Sequence, residues 1–372
     1  MAAPARVYVH DSSFARIGEL TTVRDYSRGF AIGGSEQGRV TVSTDEPLAA
    51  ELAPQRGNLI VIESTAYPLA WAGYVVNRQG ERATGTLECR CKPLESLLRE
   101  RVLPAGSAFS GSVSSAFRQV IALANGQGPT GISIGNIASG ATSITSDEPL
   151  SFSFQTVGDA LDDLTAVSGW EWWVEYTTDA GSVDARIYFA PYRGSDRQAQ
   201  VSLIEGGGVD VEQWTEDYEN QAWAVTFVGG QQHAAQVIDD IPASRRTQLE
   251  AEAGVTPFGL IPDGLYQGEG PITAREAVTV LDSLKASGLT EAAGLSELRS
   301  ASKLPPRRVR VTVKNEALWK SIRPGDKVEA RFSTAFSEGW EGPVRIEAVQ
   351  PEEDRGTLGL VLSMWRQRRA EG

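Results

Sequence analysis

Two histidines and a few adjacent carboxylates are the residues of this chain whose types could do chemistry. His10 and His233 are the only imidazoles, and neither has an acid or a nucleophile at a recognisable spacing. A Ser/His/Asp or Cys/His set is defined by geometry, so one could still assemble in space. Asp162-Asp163 and Glu216-Asp217 are pairs of the kind a glycosidase uses, which needs two groups roughly 5–9.5 Å apart. Neighbours on a helix splay about 100° apart, and such pairs are common on solvated faces, so they are read as coincidence. Gly126-Gln-Gly128-Pro-Thr-Gly131 fits Gly-x-Gly-x-x-Gly, but it follows a helical pattern and leads into Ile132-Ser-Ile-Gly. A dinucleotide site needs the reverse order, because the helix N-terminus binds the pyrophosphate. The segment is therefore read as a loop. Cys89 and Cys91 are the only cysteines. Two apart on a strand they share a face, with Cα atoms roughly 6.5–7 Å apart, at the limit of disulfide geometry. They are expected to be reduced core residues, and without a second Cys pair no zinc site is expected. The sequence thus assigns no catalytic residue, no cofactor and no metal.

The elements that position these residues predict a mainly β chain with α+β portions, in four parts. Residues 1–91 carry short β-rich runs at Arg6-Val-Tyr-Val, Arg39-Val-Thr-Val-Ser, Asn58-Leu-Ile-Val-Ile-Glu, Leu69 to Val76 and Thr84 to Cys91. Gly33-Gly34, Gly57-Asn58 and Gln79-Gly80 separate them, a spacing that suggests a barrel-like module. Residues 92–230 form an α+β middle region. Val113, Phe117, Val120, Ile121 and Ala124 make one helical apolar stripe; Val157, Ala160, Leu161 and Leu164 make another behind the capping pattern Thr156-x-x-Asp159. The second helix stops at Ser168-Gly169 and runs into Trp170-Glu-Trp-Trp-Val-Glu-Tyr. Alternation there puts Trp170, Trp172 and Val174 on one face and Glu171, Trp173 and Glu175 on the other. Further strands are expected around Ala185 to Ala190, Gln200 to Ile204 and Trp223 to Val228. Residues 231–304 form a helical and Gly-rich insertion, with helices at Ser244 to Ala253 and Thr273 to Ser287 around a loop long enough to be an interaction arm.

Residues 305–372 read as a second antiparallel barrel-like module. Val309, Val311 and Val313 alternate with Arg308, Arg310 and Thr312. Pro324-Gly325-Asp326 predicts a tight turn, since Pro fixes φ and Gly accepts positive φ. Val328, Ala330 and Phe332 face inward on the next strand. Pro343 to Val349, with Ile346 buried, and Gly356 to Trp365 complete four strands. This order of helical stretch, Pro-bounded strand, Pro-Gly-Asp turn and two further strands resembles the C-terminal portion of the tail hub proteins of long-tailed bacteriophages. The step from helix to aromatic strand at Gly158 to Tyr176 is similar to the middle of those hubs.

The resemblance implies a structural virion protein, a homotrimer whose two barrels per subunit form a ring of pseudo-sixfold symmetry at the tail tip. Such a ring closes the distal end of the sixfold tail tube, adapts it to a threefold tip and surrounds the path of the tape measure protein and DNA. The implied partners are distal tail and tail tube proteins, the tape measure protein, and tip or fibre proteins. Cyclic symmetry requires each chain to present two different, complementary surfaces. A tail-associated hydrolase, glycosidase or peptidase, and a carbohydrate- or receptor-binding tail module are the alternatives.

Charge and aromatic residues bear on the same choice. The net charge is −13, and Asp147 to Glu219 alone carries 16 Asp/Glu against three Arg. Concentrated negative charge argues against nucleic-acid binding, which needs Lys/Arg to displace counterions. It suits either a solvated face or a conduit that DNA passes without adhering, and Asp210, Glu212, Glu216, Asp217 and Glu219 are the expected lumen-facing cluster. Of the nine tryptophans, Trp71, Trp170, Trp172 and Trp223 lie in strand patterns and read as core rather than sugar platforms. Trp340, in Ser337-Glu-Gly-Trp-Glu-Gly, is expected in a hairpin loop as a partner-contact residue. No apolar run reaches the roughly 18 residues of a membrane span. Met-Ala-Ala-Pro-Ala-Arg-Val-Tyr-Val shows no secretory signal, so synthesis and assembly in a host cytoplasm are expected.

Overall fold

A computed structural model describes residues 5–104, 106–128, 130–139, 143–144, 150–152, 155–179, 182–216, 224–229, 234–238, 276–281, 307–335, 339–353 and 355–364. The β-branched runs of the first ninety residues become β1 (Arg6–His10), β2 (Arg16–Glu19), β3 (Val23–Ser27), β4 (Phe30–Ala31), β5 (Gly34–Ser35), β6 (Gly38–Ser43), β7 (Leu59–Glu63), β8 (Trp71–Glu81) and β9 (Thr86–Pro93). Seven of them form one antiparallel sheet in the order β2-β1-β7-β8-β9-β6-β3. Its central strands are buried on both faces. Tyr8, Leu59, Val61 and Ala72 enter one core, while Val7, Val9, Ile60, Ile62 and Trp71 enter the other. Period two sends alternate side chains to opposite sides, so a continuous apolar run such as Leu59-Ile-Val-Ile is what a sheet packed on both faces demands.

The first core is closed by the middle region, which starts with the short helix α1 (Ser96–Glu100) and continues with β10 (Ser107–Phe109), β11 (Gly111–Ser112), α2 (Val113–Gly126), β12 (Ile132–Ile137), β13 (Ser143–Ile144), β14 (Leu150–Phe152), α3 (Val157–Ser168), β15 (Glu171–Asp179) and β16 (Ser182–Ala190). Every residue of the two expected helical stripes is buried. Ser112 Oγ accepts the Ser115 N–H at 3.1 Å and Thr156 Oγ1 the Asp159 N–H at 3.1 Å, so both helices start where a hydroxyl can take an orphan amide. α3 ends with the Gly169 N–H donating to Thr165 O. β15 and β16 form a nine-residue antiparallel ladder, to which β12 adds in parallel. Phe117 of α2 stacks on Phe189 of β16 at 4.4 Å. Trp172, Val174 and Tyr176 point into this core; Trp173 points the other way and stacks on Tyr188 at 5.5 Å.

The second core spans the far face of the seven-stranded sheet and an eight-stranded sheet. The latter combines β17 (Ser202–Ile204), β18 (Val209–Glu216), β22 (Arg307–Val313), β23 (Lys327–Phe332), β24 (Trp340–Glu352) and β25 (Thr357–Met364), in the order β17-β23-β24-β25-β22-β18, and β4 and β5 join it through β24. Helix α4 (Glu316–Trp319) connects β22 to β23. The terminal strands pair antiparallel as expected. Val309, Val311, Val313, Val328, Ala330, Phe332 and Ile346 are all buried. Pro324 and Gly325 occupy the corner of a turn closed by the Asp326 N–H to Arg323 O, with Gly325 at φ 88°, as a Pro-Gly pair at these two positions requires.

Three expectations need correction. Neither sheet closes into a barrel: among the described residues β2 and β3 remain separate ends of one sheet, and β17 and β18 of the other. The stretch Thr273 to Ser287 contains a strand rather than a helix, β21 (Glu276–Leu281), which pairs in parallel with β19 (Ala224–Gly229) beside β20 (Ala234–Ile238). Val278-Thr-Val280 suits a strand, and the pairing partner some fifty residues away overrides the local 3.6 period. Trp340 is not in a loop; it opens β24 opposite Phe332, half-buried against the second core. The expected helix at Ser244 to Ala253 lies outside the described residues.

Cys89 and Cys91 are free and buried on β9, and burial raises the Cys89 thiol to about 11 and the Cys91 thiol further still. Both thiols should therefore be silent toward a disulfide dye such as DTNB in the native protein at pH 8 and both should react in denaturant. Rapid labelling of either in the folded chain would contradict the placement of β9.

Candidate functional site

The residues suspected of chemistry are occupied with holding the fold. His10 is buried on β1 with Nδ1 3.0 Å from Phe14 O; His233 lies outside the described residues. Asp162 Oδ2 pairs with Arg99 at 2.7 Å and its Oδ1 accepts the Trp172 indole N–H at 2.9 Å. Asp163 is buried on the same helix and accepts from Gln155 Nε2 at 3.2 Å. The two carboxylates thus serve different neighbours. The Gly-x-Gly-x-x-Gly segment follows α2 and precedes β12. Its last glycine, Gly131, receives the Phe14 ring, which would lie 1.8 Å from any Cβ there; Phe14 itself is held at φ 71° in the β1–β2 loop. Among the described residues, no group of three or more His, Cys, Asp or Glu could hold a metal, and no helix is long and apolar enough to cross a membrane.

The expected lumen cluster is only partly visible. Asp210 and Glu212 are exposed on β18. Asp210 forms an ion pair with Lys314, and Glu212 accepts the Thr312 hydroxyl. Glu216 ends β18 opposite Arg307; Asp217 and Glu219 lie outside the described residues. The adjoining strand β22 exposes Arg308, paired with Glu347 at 2.8 Å, and Arg310. Acidic and basic stripes therefore run side by side at this end of the sheet. At the opposite end, Glu205 takes the amides and hydroxyls of Ser333 and Thr334. Against burial, which raises it, these bonds hold the Glu205 carboxyl at about 2, and they tie down the residues that follow β23.

What the sequence did not reveal is a buried charged junction where the three layers meet. Arg28, 1% exposed, donates to Ile62 O at 2.8 Å and Leu69 O at 3.3 Å, and pairs with Glu353 at 2.5 Å. Tyr26 OH completes Glu353 at 3.0 Å. Glu171 of β15 accepts both arms of Arg345 of β24, at 2.7 and 2.6 Å, and the Arg193 backbone N–H at 2.7 Å. The Arg193 guanidinium, also buried, donates to Ala31 O at 2.6 Å and Ile32 O at 3.3 Å. Asp326 takes the N–H groups of Ser195 and Arg323, each at 2.9 Å, with Arg197 Nε 3.3 Å away. Burial raises the Asp326 carboxyl above its ordinary value, and the Ser195 amide and Arg197 oppose that rise. Burying so many charges is tolerable only because each is met by an opposite charge or several hydrogen bonds. No local signal marks Arg28 or Arg193, whose partners are up to 325 residues away. The junction can fix the angle between layers; it presents no solvent-open pair of acid and base.

No protein-family model matches the chain, and no curated protein matches it in sequence. Solved structures do. A 43 kDa tail protein of prophage MuSo2 from Shewanella oneidensis superposes with a TM-score of 0.59 at 13% identity, over 97% of this chain and 96% of its own. A tail protein from Neisseria meningitidis MC58 gives 0.60 at 13% identity over 98% of each chain. Prophage tail protein gp18 from Listeria monocytogenes EGD-e gives 0.54 at 12% identity, over 98% and 95%. The chain therefore has the fold of these tail proteins over nearly its whole length.

Removing one partner of the Arg28–Glu353 pair leaves a buried charge, so Arg28→Met should cost about 3–5 kcal/mol. Arg28→Met combined with Glu353→Leu should recover most of that loss. Urea unfolding midpoints of the two variants against the wild type provide the measurement; equal destabilisation by the single and double variants would show that the pair is not a coupled unit.

Proposed function

We propose that the chain is a structural component of a bacteriophage tail, the tail hub that closes the distal end of the tail tube. The observation that carries this reading is the likeness to prophage tail proteins over nearly the whole of both chains. A match confined to one module would have left the remainder free for another role. The hub reading takes the chain as a homotrimer in the virion, assembled in the host cytoplasm. In it the seven- and eight-stranded sheets of each subunit supply six related segments around a pseudo-sixfold ring, adapting a sixfold tube to a threefold tip. Its neighbours are distal tail and tube proteins, the tape measure protein, and tip or fibre proteins. Two large, mostly antiparallel sheets per chain support this arrangement.

In the same reading the chain works without catalysis. Of the suspected pairs, Asp162 and Asp163 are engaged in internal bonds. β18 borders the channel, with Asp210, Glu212, Glu216, Asp217 and Glu219 along or beside it. DNA carries one charge per roughly 1.7 Å, so a basic wall would retain it. Trp340 is the proposed contact for a neighbouring tail protein; its half-buried ring is anchored by the indole N–H to Gly342 O at 3.3 Å, and a pre-placed aromatic loses little entropy on binding.

Size-exclusion chromatography with light scattering should give a mass three times that of the 372-residue chain. A monomer at micromolar concentration would contradict the trimeric hub, and a monomer that binds or cleaves bacterial surface glycan would favour the receptor-binding or hydrolase alternatives. Fluorescence anisotropy with duplex DNA at low salt should show no binding by the wild type and salt-sensitive binding by the Asp210→Lys, Glu212→Lys variant. Tight binding by the wild type would sink the conduit role.

A further inference from the structure

The hairpin β4–β5 is the segment that carries the chain from the seven-stranded sheet into the eight-stranded one. β4 pairs with the second half of β24 through Ala31 opposite Ala348 and Phe30 opposite Val349, and the Ile32 N–H continues the ladder to Glu347 O at 2.9 Å. At its base Arg28 is locked to Glu353, and at its crown Arg193 holds the Ala31 and Ile32 carbonyls. Its returning strand is held differently. The Ser35 N–H donates to Glu95 Oε1, and Glu95 stands at the start of α1 in the middle layer.

Glu95 is an unusual anchor. It is 6% exposed, and its second oxygen, Oε2, has no hydrogen-bond partner among the described residues. The groups facing it are few. Ser35 comes from β5, Tyr176 from β15 with its hydroxyl 3.4 Å from the Glu95 N–H, and Arg193 from the segment after β16. The Arg193 guanidinium is already drawn toward Glu175 and its backbone N–H toward Glu171. Burial raises the Glu95 carboxyl to about 7, with the Ser35 bonds and Arg193 only partly opposing it. A neutral carboxyl still accepts the Ser35 N–H through one oxygen. An ionised one keeps that bond but leaves a buried charged oxygen without a donor among the described residues, a state that hydration relieves.

We propose that the β4–β5 hairpin is a pH-sensitive latch, closed over a neutral Glu95 and opening more readily once that carboxyl ionises and its partnerless oxygen must be hydrated. Opening frees the Ser35 strand first and uncovers the second half of β24, while the Arg28–Glu353 pair retains the base. The sign follows from linkage. The closed form holds its proton more tightly than the hydrated open form, so closure is favoured fully below the ordinary glutamate value of 4.5 and is lost as pH rises toward about 7. Within that window the closed-to-open ratio falls about tenfold per pH unit, and above it the ratio is flat.

Hydrogen–deuterium exchange of the full chain from pH 5 to 8.5, corrected for intrinsic rates, tests the latch. Protection of peptides spanning residues 30–36 should fall about tenfold per pH unit up to neutrality and then level off, with α2 unaffected. In Glu95→Gln the hairpin profile should be flat. The wild-type profile decides the matter if that variant fails to fold: pH-independent protection of the hairpin overturns the proposal, as does a fall shared equally by α2. The same slope in wild type and Glu95→Gln also overturns it.

Discussion

Everything in this fold turns on one guanidinium that has no route to water. A guanidinium is a cation with five N–H donors and no acceptor, so at 1% exposure Arg28 needs acceptors supplied by the protein. Those acceptors come from the end of β7 (Ile62), the loop before β8 (Leu69) and the turn after β24 (Glu353). A single side chain therefore requires the N-terminal sheet and the last strands of the chain to meet at one point. The chain then has no freedom about where residues 30–35 go: they must enter the second sheet, because Arg28 has already brought β24 alongside. An apolar contact of the same area would tolerate sliding between the sheets; a fully enclosed ion pair with two carbonyls does not.

This constraint bears on why the central strands of the seven-stranded sheet are buried on both faces. One face is committed to the helices α2 and α3, the other to the eight-stranded sheet, and Glu171 reaches from the helical layer to Arg345 of β24 past the edge of the first sheet. The three layers are tied together at a shared seam. A sheet with a solvated face could shear against its neighbour; here shear in any direction breaks a charge-assisted bond in a low-dielectric setting, where such bonds are strong and their loss severe.

The sequence made the periodic elements legible and left the joins hidden. Leu59 to Glu63, Arg307 to Val313 and both helical stripes declare themselves because burial on one face or two imposes a local rhythm. Residues 16–35 show no such rhythm, since β2 to β5 are two to five residues long and take their partners from elsewhere in the chain. β18 was obscured by a bulge between Val211 and Gln213 that breaks its alternation. The expectation of barrels failed for a related reason: closure depends on whether two edge strands distant in sequence pair, and no local pattern encodes that. The buried junction was invisible altogether, because an arginine in a strand reads as surface until its acceptors are known.

The acidic excess takes on a different aspect once the bonds are assigned. A chain of many short strands has many loop amides without ladder partners, and each needs an acceptor if it is buried. Carboxylates fill that role repeatedly: Glu46 for Thr21 and Thr22, Glu171 for Arg193, Glu205 for Ser333 and Thr334, and Asp326 for Ser195 and Arg323. Among the described residues between Asp147 and Glu219, six acids, Asp159, Asp162, Glu171, Glu175, Asp184 and Asp210, stand within ion-pair distance of a base. Much of the negative charge is thus the by-product of holding loops in place, and only the remainder can shape the field outside. A conduit argument built on net charge alone would overstate that field. On β18 itself Asp210 is tied to Lys314 and Glu212 to the Thr312 hydroxyl, beside the basic stripe of β22.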